Sequence, residues 1–333
     1  MRVAINGLGR VGRSVLRILH EREDLDLVAI NDLFDNDALK YLIKHDTVMG
    51  SFKGELSIEG DYLLTGRDRI KMIAEPNPAN LPWKDLGVDV VIEATGIFRD
   101  RSSINKHLDA GAERVILTVP AKDEIDYTVV LGVNDDGLIP AHRIISNASC
   151  TTNCLAPMAK VLDDNFGIIE GVINTVHAYT NDQRLADVPH TDWRRSRAAA
   201  ENIIPTSTGA AKAVGIVLPQ LKGKLDGIAT RVPVPDGSVV DLFVELAREV
   251  TVEEVHQAVR TAQASDNFAG ILQYSQQPLV SSDIIGNPCS SVYDAAFTHV
   301  TGGRFLRTLN WYDNEWGYSN RVVDLLGIIA NFR

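Results

Sequence analysis

The chain has 333 residues, 45% of them hydrophobic, which is enough apolar side chain for two domains of ordinary size. A net charge of −11 and an isoelectric point of about 5.2 argue against a nucleic acid or an anionic membrane as the main partner. Three cysteines suggest no disulfide framework, so we expect a cytoplasmic protein, with neither a secretory signal nor a membrane-spanning segment.

A dinucleotide-binding turn is predicted near the N-terminus. The buried strand pattern of residues 3–5 runs into Gly7-Leu8-Gly9-Arg10-Val11-Gly12, and a helical pattern follows. The glycines permit a tight turn, close approach to a pyrophosphate, and helix–strand packing. Asp32 ends the next strand and is expected to accept hydrogen bonds from the adenosine ribose. The carboxylate of Asp32 would repel a 2′-phosphate, so the pattern favours NAD over NADP. The alternative interpretation of the glycine segment is a turn with a structural role only.

Strand and helix patterns then alternate through the first half of the chain. The predicted helices cover 37–45 and 102–110, and the predicted strands lie within 54–72 and at 88–93, 114–118, 128–132 and 143–146. Near-continuous β-branched runs between helices indicate a parallel sheet covered on both faces. Ligands of such sheets bind beyond the carboxyl ends of the strands. The residues that follow these ends are Thr95, Gly96, Phe98, Thr118 and Cys150.

The segment Ser149-Cys150-Thr151-Thr152-Asn153-Cys154 is the most informative part of the chain. It lies between a strand pattern and a helix pattern, so Cys150 is expected at a helix N-terminus. Unpaired N–H groups there stabilise a thiolate, which would lower the pKa of the thiol and make it reactive. The alternative is a small buried thiol without a chemical role.

The second half is predicted to mix strands and helices. Expected strands cover 171–177, 228–233, 238–247 and 306–311, and expected helices begin at Cys150, near 207, at 251 and within 313–318. The charged segment from Ala178 to Ala198 has little periodicity, and loops of that length are usually functional or interfacial.

Several polar groups in this half are candidates for chemistry. An activated cysteine needs a base, and His177 at a predicted strand end is the leading candidate, against the alternative of an ordinary hydrogen-bonded histidine. Thr208-Gly209 before a helix, together with Arg195 and Arg231, could bind phosphate. The alternatives are a plain helix cap and solvated arginines. No cysteine–histidine spacing favours a metal.

The chain resembles a known family, the phosphorylating glyceraldehyde-3-phosphate dehydrogenases, over essentially its whole length. The matching segments are 4–10, 146–154, 177–184, 202–212 and 311–318. The resemblance implies an α/β fold class, with a Rossmann-type doubly wound parallel sheet domain plus an α+β catalytic domain with a mostly antiparallel sheet. The NAD-binding domain would comprise 1–149 plus 313–333, and the catalytic domain 150–312.

The resemblance also implies roles for individual residues. Cys150 would be the nucleophile and His177 the base. NAD would be held by Gly7, Gly9, Arg10, Val11, Gly12, Asp32, Asn77, Thr95, Gly96, Thr118, Tyr318 and, on the nicotinamide carboxamide, Asn314. Thr180 and Arg231 would bind the substrate phosphate of glyceraldehyde 3-phosphate. Inorganic phosphate would be bound by Ser149, Thr151, Thr208, Gly209 and Arg195. A homotetramer is implied, with 178–198 as an interface segment that reaches a neighbour's cofactor.

The chain departs from the family pattern at a few positions. Leu8 stands where the family usually has Phe, and Asn77 stands where many members have an Arg near the adenine. Val188-Pro189 replaces the common Leu-Pro but keeps the proline of NAD-preferring members.

The sequence leaves two alternative functions and the role of Cys154 open. Erythrose-4-phosphate dehydrogenase shares the nucleophile, although Tyr179-Thr180-Asn181-Asp182 favours glyceraldehyde 3-phosphate. A non-catalytic NAD- or RNA-binding regulator would have a broken Cys–His pair or a basic groove, and the sequence shows neither. Cys154, one helical turn after Cys150, is either a core thiol or a thiol that captures oxidised Cys150.

Overall fold

The strands of the described residues, 1–332 of this computed structural model, form two separate sheets. Each sheet belongs to one of two units with their own internal contacts. The first unit comprises Met1–Val129, Asp136–Ala148 and residues from 319 onward. The second comprises Val130–Asp135 and Ser149–Tyr318.

The sheet of the first unit is parallel except at one edge, where β3, β4 and β5 pair in antiparallel fashion. Its strands are β1 Arg2–Asn6, β2 Asp26–Asn31, β3 Ser57–Glu59, β4 Tyr62–Leu64, β5 Arg69–Ile73, β6 Val90–Glu93, β7 Arg114–Leu117, β8 Tyr127–Thr128 and β9 Ile144–Ser146. Their order in space is β3-β4-β5-β2-β1-β6-β7-β9-β8. The chain builds outward from β1 in one direction and from β6 in the other. The order therefore reverses between β1 and β6, the position where doubly wound sheets bind ligands.

Burial explains why the central strands read as continuous apolar runs. The side chains of β1 from Val3 to Ile5 and of β6 from Val90 to Ile92 are fully buried on both faces. The accompanying helices are α1 Arg10–His20, α2 Asn36–Lys44, α3 Arg101–Asp109 and most of α8 Trp316–Ala330. This arrangement confirms the predicted doubly wound parallel sheet.

The sheet of the second unit is mixed. Its strands are β10 Ile168–Ala178, β11 Ile204–Ser207, β12 Leu225–Val232, β13 Ser238–Leu246, β14 Leu272–Ser275, β15 Ser291–Asp294, β16 His299–Thr301 and β17 Phe305–Tyr312. Antiparallel pairing predominates, and the parallel pairs are β10 with β12 and β14 with β15. The helices are α4 Cys150–Phe166, α5 Ala210–Val217, α6 Val252–Gln263 and α7 Ser281–Ile284.

The structure corrects some predicted elements. The strand expected at 128–132 is wrong beyond Thr128, because side chains take the backbone N–H groups that a sheet would need. Val130 N–H donates to Asn134, and Gly132 N–H donates to Asp135. The short strands β11, β14, β15 and β16 were not predicted, since each has three or four residues and little alternation.

Within residues 1–332, none of the helices combines the length and apolar character that crossing a lipid bilayer requires.

Candidate active site

Cys150 is the first residue of α4, as the sequence predicts. The preceding Ser149 caps the helix, and its Oγ accepts a hydrogen bond of 3.1 Å from Thr152 N–H. Ala148 has a φ of 53°, a conformation that alanine rarely adopts. Ala148 lies between β9 and α4, and Cys150 stands at the start of that helix.

His177 lies beside this cysteine within the second unit. Its Nε2 is 3.5 Å from Sγ of Cys150. The parallel register of β10 and β12 sets His177 opposite Arg231. Nδ1 of His177 contacts both the carbonyl oxygen of Ala178 and Nη1 of Arg231, each at 2.6 Å. The predicted Cys–His pair is thus in contact, and the strand register places the cation of Arg231 on the far side of the imidazole.

The electrostatics of the pair differ from the expectation of a preformed thiolate. Burial, aided by the charge of Arg231, lowers the pKa of His177 to about 3, so the imidazole is neutral at pH 7. Burial also raises the pKa of the Cys150 thiol, although Arg231 and Thr151 N–H oppose that rise. The expected lowering of the Cys150 pKa is therefore wrong. Cys150 is partly buried, and this loss of hydration outweighs the effect of the helix terminus on its pKa, so the resting pair is a neutral thiol beside a neutral base.

Cys154 is fully buried, and its thiol lies 3.7 Å from Ser291 Oγ and 3.6 Å from the carbonyl oxygen of Asn310. Burial raises its pKa far above the usual range of a thiol. A thiol that is neutral, buried and already in contact with two polar groups fits the interpretation of a core residue better than that of a redox partner.

Groups from both expected phosphate-binding sets surround one carboxylate, Asp182. Thr180 Oγ1 donates to Asp182, and Nη1 of Arg195 lies 2.6 Å from the same carboxylate. The charges of Arg231 and Arg195 help to hold the pKa of Asp182 low against the effect of burial. Thr180, Arg195 and Arg231, which come from both predicted phosphate-binding sets, therefore act on the same carboxylate.

Four of the groups expected to bind inorganic phosphate lie at the N-termini of α4 and α5. Thr208 and Gly209 precede α5, and Thr208 Oγ1 accepts from Ala210 N–H at 3.2 Å. Ser149 Oγ shares a 2.7 Å hydrogen bond with the hydroxyl of Thr152. Thr151 is buried, and its hydroxyl is engaged by Tyr312 at 2.8 Å.

The glycine turn of the first unit has the geometry that a dinucleotide requires. A Cβ on Gly7, whose φ is +96°, would lie 2.8 Å from Thr95 N, and one on Gly12 would lie 2.0 Å from the carbonyl oxygen of Gly7. By contrast, a Cβ on Gly9 would meet nothing within 4 Å among the described residues. The first turn of α1 therefore faces open space through Gly9, as a pyrophosphate site needs.

Other predicted cofactor residues are held by local contacts. Asp32 accepts from Leu8 N–H at 2.7 Å, which ties the end of β2 to the glycine turn. The Arg10 side chain pairs with Asp46 instead of standing free, and Val11 follows it in α1. Asn77 caps a short helical turn at Pro78–Asn80.

Sequence reasoning missed a buried polar network at the ends of β1, β2 and β6. Glu93 accepts from Asn6 Nδ2 at 2.6 Å, from Thr95 N at 2.8 Å and from His107 Nε2 at 3.0 Å. Trp83 Nε1 donates to His107 Nδ1 at 3.0 Å. The signal available in the sequence was the charged Glu93 at the end of an apolar strand, because a buried carboxylate must be matched by donors.

This network fixes the strand ends that border the glycine turn. Thr95 Oγ1 also donates to Glu93, and Gly96 follows with a φ of 70°. Thr118 Oγ1 donates to the carbonyl oxygen of Glu93 at 3.1 Å. Of the predicted residues, Thr95 and Thr118 thus hydrogen-bond to Glu93, the last residue of β6, and Gly96 follows Thr95 in the chain.

The remaining predicted cofactor residues belong to the second unit. Asn314 Oδ1 accepts from Ser238 Oγ at 2.6 Å, and Tyr318 is buried in the first turn of α8. Among residues 1–332, no group of three histidine, cysteine or acidic side chains is arranged to hold a metal ion.

Known proteins resemble the chain throughout its length. Residues 1–101 match the family model described as "Glyceraldehyde 3-phosphate dehydrogenase, NAD binding domain", and residues 149–314 match the corresponding C-terminal domain. A glyceraldehyde-3-phosphate dehydrogenase of Streptomyces coelicolor is 56% identical over 99% of both chains. Proteins of the same name from Geobacillus stearothermophilus and Mycobacterium tuberculosis are 54% and 53% identical, each over 99% of this chain and 98% of their own.

Proposed function

The chain belongs to the glyceraldehyde 3-phosphate dehydrogenase family of NAD-dependent oxidoreductases, and we propose that it oxidises D-glyceraldehyde 3-phosphate to 1,3-bisphosphoglycerate with NAD and inorganic phosphate. The observation that carries this proposal is the contact of 3.5 Å between Cys150 Sγ and His177 Nε2, beside Arg231 and the cluster around Asp182. A thiol, a neutral base and cations for a phosphate are the groups that this reaction needs.

The first chemical step joins the substrate to Cys150. The sulfur attacks the aldehyde carbon, and the thiol proton passes by way of His177 Nε2 to the former carbonyl oxygen, which gives a hemithioacetal. A neutral His177 can take part in this transfer, since one nitrogen of a neutral imidazole carries no proton and can accept one, and a pKa of about 3 keeps the ring neutral at pH 7. The backbone N–H of Cys150, in the first turn of α4, would stabilise negative charge on that oxygen.

The second step is the oxidation. His177 accepts the hydroxyl proton of the hemithioacetal. The former aldehyde carbon gives up a hydride at the same time, and a thioester on Cys150 remains. When bound, NAD supplies the acceptor for that hydride. Inorganic phosphate then attacks the thioester carbon, the acyl group leaves as 1,3-bisphosphoglycerate, and the sulfur regains its proton from His177.

The binding residues are part of the same proposal. Thr180 and Arg231 would bind the substrate phosphate. Inorganic phosphate would be bound by Ser149, Thr151, Arg195, Thr208 and Gly209. Residues 1–149 plus 313–333 would be the NAD-binding domain, and residues 150–312 the catalytic domain. Residues that would hold NAD are Gly7, Gly9, Arg10, Val11, Gly12, Asp32, Asn77, Thr95, Gly96, Thr118, Asn314 and Tyr318.

Steady-state assays test the reaction. We expect NADH to form with glyceraldehyde 3-phosphate only when phosphate is present, with erythrose 4-phosphate as a poorer substrate and NAD preferred to NADP. Cys150→Ser should reduce turnover to background, whereas Cys154→Ala, the matched removal of a thiol one helical turn away, should retain it. Turnover by Cys150→Ser close to that of the unmodified chain would contradict the proposal, and so would a preference for erythrose 4-phosphate.

We also propose a cytoplasmic homotetramer. The segment 178–198 exposes apolar side chains, with Leu185 88% and Trp193 86% exposed in the single chain. Large exposed apolar side chains in one segment favour an interface with another protein surface. Light scattering should give four times the chain mass of 36.5 kDa. A monomer at micromolar concentration would contradict this assembly.

A further inference from the structure

The second unit contains a buried pair of carboxyl groups that the proposed chemistry does not use. Asp236 and Asp313 are each 1% exposed. The antiparallel register of β13 and β17 pairs Ser238 with Tyr312, so the turn before β13 lies beside the residue that follows β17. The two carboxyl groups lie close enough to share a hydrogen bond. Ionised carboxylates are acceptors only, so this hydrogen bond requires a proton on one of them.

The backbone contacts indicate which carboxyl group carries the proton. Asp313 accepts three backbone N–H groups, from Gly286 at 2.7 Å, Glu315 at 2.8 Å and Trp316 at 2.6 Å, and these favour its ionised form. Asp236 accepts one, from Gly237 at 2.8 Å. The other oxygen of Asp236, Oδ2, is buried and has no hydrogen-bond donor among residues 1–332. The proton therefore belongs on Asp236.

The surroundings of Asp236 strengthen this assignment. The groups that face it are acidic: Asp313, Glu315 and the thiol of Cys150. Burial, followed by the charges of Asp313 and Glu315, raises the pKa of Asp236 to about 9. Asp236 is therefore protonated at pH 7 and ionises in alkaline solution.

Both acids hold the turn that contains Asn314. Asp313 orders the residues on the far side of Asn314 through its N–H contacts, at the start of α8. Ser238, two residues after Asp236, donates to Asn314 Oδ1 at 2.6 Å and accepts from Ala178 N–H at 3.0 Å. The Asp236 turn packs closely against the backbone at Ser281, since a Cβ on Gly237 would lie 2.1 Å from the carbonyl oxygen of Ser281. This close packing leaves the turn little room to move.

We propose that protonated Asp236 is a positioning residue that acts through Asp313 to orient Asn314 for the nicotinamide carboxamide, so that NAD binding weakens when alkaline solution removes the shared proton. Two adjacent buried carboxylates repel each other, and that repulsion acts on the two turns that hold Asn314. This inference rests on the proposed function, in which Asn314 binds the cofactor.

The variant that tests the inference is Asp236→Asn. An amide keeps a donor for Asp313 but does not titrate. Asp226→Asn is the matched control, because Asp226 also precedes a glycine and accepts its N–H at 2.8 Å, yet is exposed.

The first measurement is the melting temperature of the chain without cofactor, from pH 5 to pH 10. A raised pKa means that the unfolded state loses the Asp236 proton from about pH 4 upward while the folded state keeps it to about pH 9. The unmodified chain should therefore lose stability relative to Asp236→Asn across this window, and the difference should level off above it. Asp226→Asn should follow the unmodified chain.

The second measurement is NAD affinity by calorimetry from pH 7 to pH 10. The unmodified chain and Asp226→Asn should lose about tenfold in affinity with a midpoint near pH 9, whereas Asp236→Asn should stay level. If the melting temperatures of the unmodified chain and of Asp236→Asn changed with pH in the same way, the inference would be overturned, and the proposed function would be unaffected. An affinity that does not depend on pH in the unmodified chain would do the same, even if the variant failed to fold. Absence of NAD binding at pH 7 would overturn the proposed function as well.

Discussion

Replacing His107 with phenylalanine removes the centre of the buried network in the first unit. His107, Glu93 and Trp83 are all fully buried. Because an indole N–H can only donate, Nδ1 of His107 must accept from Trp83, and Nε2–H donates to Glu93. His107→Phe therefore deletes a donor to a buried carboxylate and leaves the Trp83 N–H without an acceptor.

The expected loss of stability follows from these two contacts. A hydrogen bond to a charged group contributes about 1.5–3 kcal/mol, and an unsatisfied buried donor costs about 1–3 kcal/mol. We expect His107→Phe to lower the free energy of unfolding by about 3–5 kcal/mol. His45→Phe, at an exposed position, should change it by less than about 0.5 kcal/mol.

A double-mutant cycle with Trp83→Phe isolates the indole contact. In the double variant no indole N–H is left unpaired, so it should be about 1–2 kcal/mol more stable than the sum of the single changes predicts. Urea unfolding at one protein concentration, followed by far-ultraviolet circular dichroism, measures all four proteins. Additivity within about 0.5 kcal/mol would refute the assignment of this hydrogen bond, and so would a negligible effect of His107→Phe.

Two further predictions concern the glycine turn of the first unit and His177. Gly12→Ala should lower the melting temperature of the unliganded chain because its Cβ would collide with Gly7, while Gly9→Ala, whose Cβ meets no described atom, should leave that temperature nearly unchanged. Gly9→Ala should still weaken NAD binding in calorimetry, because its methyl group occupies the space open to the pyrophosphate; equal losses of melting temperature would contradict this geometry. For His177, the lowered pKa means that the unfolded state binds a proton that the folded state excludes. Stability should therefore fall as pH drops from about 6.5 towards 3, by up to about 1.4 kcal/mol per unit, and His177→Asn should flatten that part of the melting profile. An unchanged profile would show that His177 does not titrate in this window.

Local sequence patterns were sufficient for the main elements of the fold. The glycines of the first turn, the apolar runs of β1 and β6, and the helix that begins at Cys150 lie where the sequence predicts them. These features depend on local backbone geometry or on burial of a whole strand, and both leave a record in neighbouring residues. The same patterns failed for β11 and for residues 129–132, where partners distant in sequence or single side-chain hydrogen bonds decide the structure.

The sequence by itself therefore determined a dinucleotide turn, two kinds of sheet, and a cysteine at a helix start with His177 as its leading partner. Only the tertiary structure decided that His177 lies against both Cys150 and Arg231, that burial keeps the thiol protonated, and that Asp236 faces another acid. The physical reason is that protonation depends on how much water a group loses and which charges face it. Strand register and packing set both quantities between residues far apart in the chain, where no local pattern records them.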